Sequence, residues 1–286
     1  MALPSYRVEP WTMDLGGLLL GGSGSIVLHE PTGILASTET RTARSTRIGR
    51  PGVVLGDDVP GARIIHLSMT VLDSPETLAA LLAVLRRGAD RVLRFAIPGV
   101  AGGAGRVAVR VGEWAAPLDV AYTVGAARVE VELTAADPHL YSDQEFTARV
   151  VPAVPRGAAR IWPVRFPFSF AKAGVTGAVA DPEVTVDGSA ETWPVITLRG
   201  PLSAPVITNR AVPGERLRIL LDVPAGEVLT VDTGARTVQL NGADRYALSS
   251  DSVWFPLRPG ANRWELDDLM GGRERVADLR WRSAWI

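Results

Sequence analysis

The stretch that decides the fold is Ile65-His66-Leu67-Ser68-Met69-Thr70-Val71, followed closely by Ser74-Pro75-Glu76-Thr77 and the apolar run Leu78 to Leu85. In the first part apolar and polar residues alternate, which is the period-two pattern of a half-buried β-strand. In the second part an N-cap serine and a proline at the first helical position precede apolar residues at helical spacing. We therefore predict a strand that leads directly into a helix near residues 75–88, with Gly88 as its stop.

The same alternation recurs further along the first half of the chain. Apolar residues alternate with small or charged ones over residues 107–111 and 129–133. Such strands are typical of antiparallel sheets with one face in water. A single helix among many strands predicts a β domain with one packed helix, not a series of βαβ units around a parallel sheet.

The second half of the chain repeats the strand rhythm after an irregular stretch. Strands are predicted at 217–223, 228–231, 237–240, 253–257, 262–266 and 276–281, and Asn241-Gly242 is a strong hairpin signal. Short strands separated by turns at this spacing favour a β-sandwich. Residues 147–163 are rich in proline, alanine and arginine, so we predict an N-terminal domain over 1–146, a linker over 147–163 and a C-terminal domain over 164–286.

Composition excludes several classes of function. The 286 residues include 30 basic and 31 acidic side chains, so the chain has no overall field that would draw it to nucleic acid or anionic lipid. Cysteine is absent and there are three histidines, which argues against thiolate chemistry and against zinc or iron–sulfur centres. The apolar segment Leu15 to Leu28 is broken by glycines and falls short of the roughly 20 residues of a bilayer span. We expect no membrane insertion and no export signal.

No catalytic arrangement is visible in the sequence. Gly22-Ser23-Gly24-Ser25 lacks the glycine spacing of a nucleophile elbow, and Gly102-Gly103-Ala104-Gly105 lacks the lysine and hydroxyl of a phosphate-binding loop. The adjacent acids Asp57 and Asp58 would point to opposite faces of an extended chain, which prevents an acid–base partnership. We predict that the protein is not an enzyme and has no cofactor and no metal site.

An arginine recurs at every third position in one polar segment. The residues are Arg41, Arg44, Arg47 and Arg50, within Thr40 to Gly52. No aromatic residue is interleaved to stack on bases, and two acids follow closely, so nucleic-acid contact is disfavoured. The remaining interpretations are a solvated loop and a loop that pairs with acids of a neighbouring subunit. We take these four arginines as the candidate subunit interface.

Tryptophan is concentrated in the second half of the chain. Trp254, Trp264 and Trp281 fall in strand patterns and are expected in the core, whereas Trp193 and Trp285 are candidates to face a glycan. A carbohydrate-binding adaptor that recognises host cell-wall sugar is therefore the alternative function.

The order of these features resembles the distal tail proteins of long-tailed (siphovirus) bacteriophages. The resemblance rests on Arg47-Ile48-Gly49-Arg50-Pro51-Gly52, the strand and helix from Ile64, and Asp137-Pro138-His139-Leu140-Tyr141 in the first half. In the second half it rests on three longer segments, at 186–201, 228–242 and 254–262. No single motif is diagnostic, but the order and spacing of all of them match.

The resemblance implies a mainly β fold: an N-terminal split β-barrel with one packed α-helix and a C-terminal galectin-like β-sandwich. It also implies a structural role at the tail tip or baseplate, as a hexameric ring that joins the tail tube protein to a tail-associated hub protein and carries receptor-binding proteins. The protein would be made in the host cytoplasm and end in the virion. Met1 to Gly24 is a second candidate for inter-subunit contacts. The family has no catalytic residues to transfer, which agrees with the absence of a catalytic motif.

Overall fold

The computed structural model describes residues 10–72, 74–150, 183–267 and 276–286. The chain forms two compact units, Met1–Gln144 together with Ala284–Ile286, and Glu145–Ser283. The strands are β1 (Thr12–Leu15), β2 (Leu18–Leu20), β3 (Ile26–Leu28), β4 (Thr40–Thr46), β5 (Val53–Pro60), β6 (Arg63–Leu72), β7 (Asp90–Ala96), β8 (Gly105–Ala115), β9 (Ala126–Ala135), β10 (Leu140–Ser142), β11 (Phe146–Val150), β12 (Glu183–Val186), β13 (Val195–Arg199), β14 (Leu202–Ser203), β15 (Val206–Asn209), β16 (Arg216–Arg218), β17 (Asp222–Val223), β18 (Val228–Asp232), β19 (Thr237–Leu240), β20 (Ala243–Asp244), β21 (Gly260–Asp267), β22 (Ala277–Trp281) and β23 (Ala284–Trp285). The α-helices are α1 (Pro75–Val84) and α2 (Val120–Thr123), and a 3-10 turn spans Ala101–Gly103.

A nine-stranded antiparallel sheet forms the first unit. Its main path runs β2-β1-β7-β8-β9-β6-β3, and β10 joins β8 to β23. The two ends of the path meet, because β2 and β3 are connected by a short loop in which the amide of Gly21 donates to the carbonyl of Ile26 at 2.9 Å. The sheet is therefore nearly closed and barrel-like, as the mainly β prediction required.

The single long helix begins as its sequence predicts. Ser74 caps α1, since its hydroxyl accepts a hydrogen bond from the amide of Thr77 at 3.2 Å and Pro75 occupies the first turn. Leu81 and Leu85 are fully buried in the core of the sheet. The helix ends at Val84 with Leu85 as its C-cap, a little before the predicted stop at Gly88.

The core of the first unit follows the alternation of its strands. In β6 every second side chain from Arg63 to Val71 is buried, and its partner β9 shows the same pattern. Because consecutive side chains point to opposite faces, one face of each strand supplies the core and the other meets water.

Two facing sheets and one apolar core make up the second unit. One sheet has the order β11-β22-β13-β18-β19-β20 and the other β12-β21-β15-β16, with β14 and β17 as a separate pair. Ile196 and Leu279 from the first sheet and Ile207 and Trp264 from the second belong to the same buried cluster, which is the arrangement of a β-sandwich. The hairpin between β19 and β20 turns at Asn241 and Gly242, both with positive φ, so this turn prediction is confirmed.

Several sequence expectations differ from the structure. Residues 253–256 do not form the predicted strand; Leu257 makes an isolated bridge with Thr192 instead. The predicted linker began at residue 147, but residues 146–150 form β11, which pairs with β22. The rest of that stretch, and the start of the predicted second domain up to residue 182, lie outside the described residues. The final residues 284–286 belong to the first unit, through β23.

The proposed contact segment Met1 to Gly24 also has a different placement in its described part. Residues 1–9 lie outside the described residues. β1 is buried throughout and pairs with β7, so this part of the segment is built into the sheet.

Candidate subunit interface

The arginine-rich segment is a projecting β-hairpin, here called the arm and defined as residues 40–60. β4 and β5 pair only with each other and form a separate two-stranded sheet. Every residue of β5 is exposed, and in β4 only Thr42 is half-buried. The sequence predicted a loop here, because four arginines and few regularly spaced apolar residues gave no strand pattern.

The arm also exposes large apolar side chains. Ile48 at the turn is 100% exposed, and Leu55 and Val59 on β5 are 62% and 57% exposed. An isolated two-stranded hairpin is marginally stable in water. Several large exposed apolar side chains in one segment are typical of an interaction surface.

The structure brings the four candidate arginines together on the arm. Arg41 and Arg44 lie in β4, and Arg47 and Arg50 lie in the turn that follows. Within the described residues, no ion pair and no side-chain hydrogen bond involves any of the four guanidinium groups. The nearby Asp58 accepts a hydrogen bond from the hydroxyl of Thr42 instead. The arm therefore presents its positive charge to solvent.

A buried arginine fixes the base of the arm. Arg63, at the start of β6, is 3% exposed. Its Nη1 donates to the carbonyls of Gly33, Ile34 and Ala36 at 3.1, 2.8 and 2.8 Å, and its Nε donates to the carbonyl of Pro138 at 2.9 Å. Burial lowers the pKa of Arg63, as expected for a desolvated cation. One side chain thus ties the loop that enters the arm to the turn after β9.

Close backbone packing supports the same base. Gly33 has φ of +89°, and a Cβ at that position would lie 2.0 Å from the carbonyl oxygen of Ile64. Only glycine accommodates this approach. At the base of the arm, the amide of Gly61 donates to the carbonyl of Glu39 at 2.6 Å. The two ends of the arm are therefore joined to each other, and the loop before the arm packs on β6.

The turn that contains Pro138, to which Arg63 donates, is itself stabilised by a cluster of hydrogen bonds. Oδ1 of Asp137 accepts from the backbone amide of His139 and lies 2.6 Å from Nδ1 of its ring, while the hydroxyl of Tyr141 donates to Oδ2 at 2.6 Å. Burial of the Asp137 carboxyl would raise its pKa, but these hydrogen bonds outweigh burial and lower it. Burial and the contact with Asp137 raise the pKa of Tyr141. The Asp-Pro-x-x-Tyr segment is therefore held in its turn, next to Arg63, by hydrogen bonds among its own residues.

Arg63 was not among the predicted functional residues. Its burial could have been predicted, because Arg63 continues the inward-facing alternation of Ile65, Leu67 and Met69. A charged side chain at an inward position requires hydrogen-bond partners.

The structure separates the two tryptophans that were candidates to face a glycan. Trp193 lies in the second unit and is 38% exposed, with its Cβ packed near Gly234. Trp285 lies in β23 of the first unit, pairs with Leu140 and packs against the core there. Its expected place in the C-terminal domain is therefore wrong, and a glycan-facing role stays a prediction for both Trp193 and Trp285. Trp264 and Trp281 are buried and Trp254 packs against the same cluster, as expected for core residues.

The described residues contain no group of three or more metal-ligating side chains. A cleft of about 530 Å³ lies beside β15 and β16 in the second unit. Two of its acids are engaged with arginines, Glu215 with Arg258 and Asp251 with Arg216. In residues 10–72, 74–150, 183–267 and 276–286, no helix has the length and apolar character needed to cross a bilayer.

Most of the second unit is similar to a known family. Residues 187–285 match the model of a family described as the siphovirus-type tail component, C-terminal domain. Residues 187–285 are therefore similar to the C-terminal domain of siphovirus-type tail components. The matched residues start between β12 and β13 and include β23. No curated protein matches the chain.

Solved structures extend the similarity to the fold of almost the whole chain. The Dit protein of phage SPP1, described as a paradigm of the hub adsorption apparatus in phages that infect Gram-positive bacteria, is 16% identical and superposes with a TM-score of 0.65, over 96% of this chain and 99% of that one. A chain of the phage p2 baseplate, in its activated conformation with Sr, is 8% identical with a TM-score of 0.52, over 94% of this chain and 97% of that one. The predicted resemblance to the distal tail family and the predicted fold class are confirmed.

Proposed function

We propose that the protein is a structural component of the distal tail of a siphovirus-type phage, in which several copies form a ring through their first units. The observation that carries this proposal is the match of residues 187–285 to the siphovirus-type tail component, in a chain whose fold is similar to that of SPP1 Dit over 96% of its length. A protein of this kind acts through interfaces, so its lack of a catalytic motif fits the role. The ring would be hexameric and would join the tail tube to the tail-tip hub, with adsorption proteins attached.

The arm supports the assignment of the first unit to assembly. It projects from the nearly closed sheet, exposes Ile48, Leu55 and Val59, and carries four arginines that have no partner among the described residues. Next to the arm, Arg63 connects the preceding loop to the turn after β9 through four hydrogen bonds. A two-stranded hairpin with two free edges can gain hydrogen bonds and apolar contacts from a second subunit.

The test compares association of the wild-type chain with that of a charge-reversed arm. We expect rings in negative-stain electron microscopy and a multiple of the 30.5 kDa chain in light scattering. The double variant Arg44→Glu/Arg47→Glu is expected to shift the protein to smaller species with an unchanged melting temperature, because both side chains are exposed. The matched control is Arg199→Glu/Arg236→Glu, which reverses two exposed arginines of the second unit and is expected to assemble normally. A strictly monomeric wild type, or an arm variant that assembles like the wild type, would overturn the proposal.

A further inference from the structure

The cleft beside β15 and β16 in the second unit has the size of a small-molecule site. Its volume of about 530 Å³ lies within the range of roughly 300–1,000 Å³ that ligand pockets occupy. Charged and small side chains make up most of its lining, and Val206 adds an apolar group. This composition favours a polar ligand over an apolar one.

Strand pairing places one arginine and one acid on either side of Val206. Ile207 of β15 and Leu217 of β16 are buried in the core of the second unit, so their neighbours along each strand point away from that core. Val206 of β15 pairs with Arg218 of β16 on one side and with Asp267 of β21 on the other. Because directly paired residues point to the same face of a sheet, these three side chains form a row across that face.

The row has a low centre and long side chains at both ends. Neighbouring strands lie about 4.8 Å apart, so the backbones of Arg218 and Asp267 are separated by about 10 Å, with Val206 between them. In the next row Thr208 of β15 pairs with Arg216 of β16, which again sets a short side chain beside a long one. A floor of short side chains between longer charged ones accepts a ring that carries polar groups on its edge.

The two charged groups at the ends of the row are available to a ligand. Within the described part of the chain, the guanidinium of Arg218 and the carboxylate of Asp267 take part in no ion pair and no side-chain hydrogen bond. The hydrogen bonds between Arg218 and Ser252 use the backbone of Arg218. Arg216, in contrast, is paired with Asp251. The cleft therefore offers a donor at one end and an acceptor at the other.

The balance of charge indicates which class of polar ligand the cleft takes. Three acids and two arginines contribute to its lining, namely Glu215, Asp251, Asp267, Arg216 and Arg218. Arg258 donates two hydrogen bonds to Glu215, at 2.9 and 2.6 Å, so the net formal charge around the cleft is zero. A polyanion or a polycation would meet like charges there. Uncharged hydroxyl groups, however, accept from a guanidinium and donate to a carboxylate equally well.

We propose that this cleft binds a neutral saccharide, a function beyond the structural role proposed above. The apolar face of a sugar ring would lie on Val206, while hydroxyl groups on its edge accept from Arg218 and donate to Asp267. The hydroxyl of Thr208 supplies a further polar contact. Trp193, which the sequence predicted to face a glycan, does not line the cleft.

The test measures sugar binding to the full-length protein. Maltose, cellobiose, lactose and chitobiose are the probes, saturation-transfer NMR detects their binding, and titration gives Kd. We expect the wild type to bind at least one of them, and Arg218→Ala and Asp267→Asn each to weaken that binding about tenfold, as for one charge-assisted hydrogen bond. Both side chains are exposed, so the melting temperature should stay unchanged. Arg199→Ala, which removes an exposed arginine from β13 in the other sheet, is the matched control and should bind like the wild type.

Several outcomes would overturn the proposal. One is that none of the four sugars binds, and another is that both cleft variants bind as tightly as the wild type. Loss of binding in Trp193→Ala with unchanged binding in the cleft variants would assign the glycan to Trp193 instead. Tighter binding of sialyllactose than of lactose would contradict a neutral ligand. A changed assembly state of Arg218→Ala in light scattering, without sugar binding to the wild type, would assign the cleft to a protein contact.

Discussion

The two units differ in the side chains that they expose to solvent. Among the described residues, large exposed apolar side chains are concentrated in the first unit, and the second unit has only Trp193, Leu220, Tyr246 and Val253. Many arginines outside the arm pair with acids in both units, such as Arg110 with Asp90 in the first and Arg258 with Glu215 in the second. The four arginines of the arm have no partner among the described residues. This difference supports the proposal that the first unit, and not the second, makes the contacts between copies.

The largest expected effect tests whether the second unit is indeed self-contained. Trp264 is 1% exposed and packs edge-on against Phe255 with ring centroids 4.8 Å apart. Trp264→Ala would remove this contact and leave a cavity, so we expect a loss of about 3–5 kcal/mol in the stability of the second unit. Hydrogen exchange followed by mass spectrometry should show lost protection in β13 and β18 and unchanged protection in β6 and β9.

Trp264→Phe is the matched control for that variant. The indole nitrogen of Trp264 has no hydrogen-bond partner among the described residues, so phenylalanine loses volume but no hydrogen bond. We expect a smaller loss of stability for Trp264→Phe than for Trp264→Ala. If Trp264→Ala lowers protection equally in β6 and β9, the two units unfold together, which would contradict a second unit that is stable by itself.

A smaller effect is expected at the base of the arm. Arg63→Met would leave four backbone carbonyls without their donor, which we expect to cost about 3 kcal/mol, while Arg63→Lys retains a charge and part of the hydrogen bonding. Chemical denaturation gives the free energy of unfolding, and hydrogen exchange locates the loosened segments at 33–36 and 136–139. Equal stability of Arg63→Met and wild type would show that these four contacts do not stabilise the fold.

The smallest expected change in stability concerns one ion pair of the second unit, between Arg258 and Glu215. Two nitrogens of Arg258 donate to the Glu215 carboxylate at 2.9 and 2.6 Å, and these hydrogen bonds lower the pKa of Glu215 below its ordinary value of 4.5. Because the pKa is lower in the folded state, this stabilisation is present above about pH 4.5 and is lost as the pH falls through the folded pKa. Glu215→Gln should cost about 1 kcal/mol at neutral pH and nothing in strong acid.

Thermal unfolding between pH 3 and pH 7 measures this dependence. Glu183→Gln is the control, since Glu183 is half-exposed and its nearest contact with Arg263 is 3.6 Å. A Glu215→Gln difference that is constant with pH would show that the carboxylate charge does not contribute.

Short-range patterns predicted much of this fold. Alternation predicted the strands around Met69, Val109 and Val131, the Ser74-Pro75 pair predicted the start of α1, and Asn241-Gly242 predicted a hairpin turn. Each of these signals lies within a few residues of the structure it specifies. The arm was missed as a strand pair because nothing buries either of its faces, so its sequence has no apolar alternation to detect.

The sequence by itself determined that the protein is mainly β, that one long helix follows β6, and that no catalytic set of side chains is visible. Only the tertiary structure decided that Arg63 is buried and donates to four backbone carbonyls, that Trp285 packs in the first unit, and that β4 and β5 pair only with each other. These features join residues that are far apart in the chain. Local periodicity fixes which face of a strand is apolar, but the pairing of strands fixes which distant residues meet and which surfaces are left for another molecule.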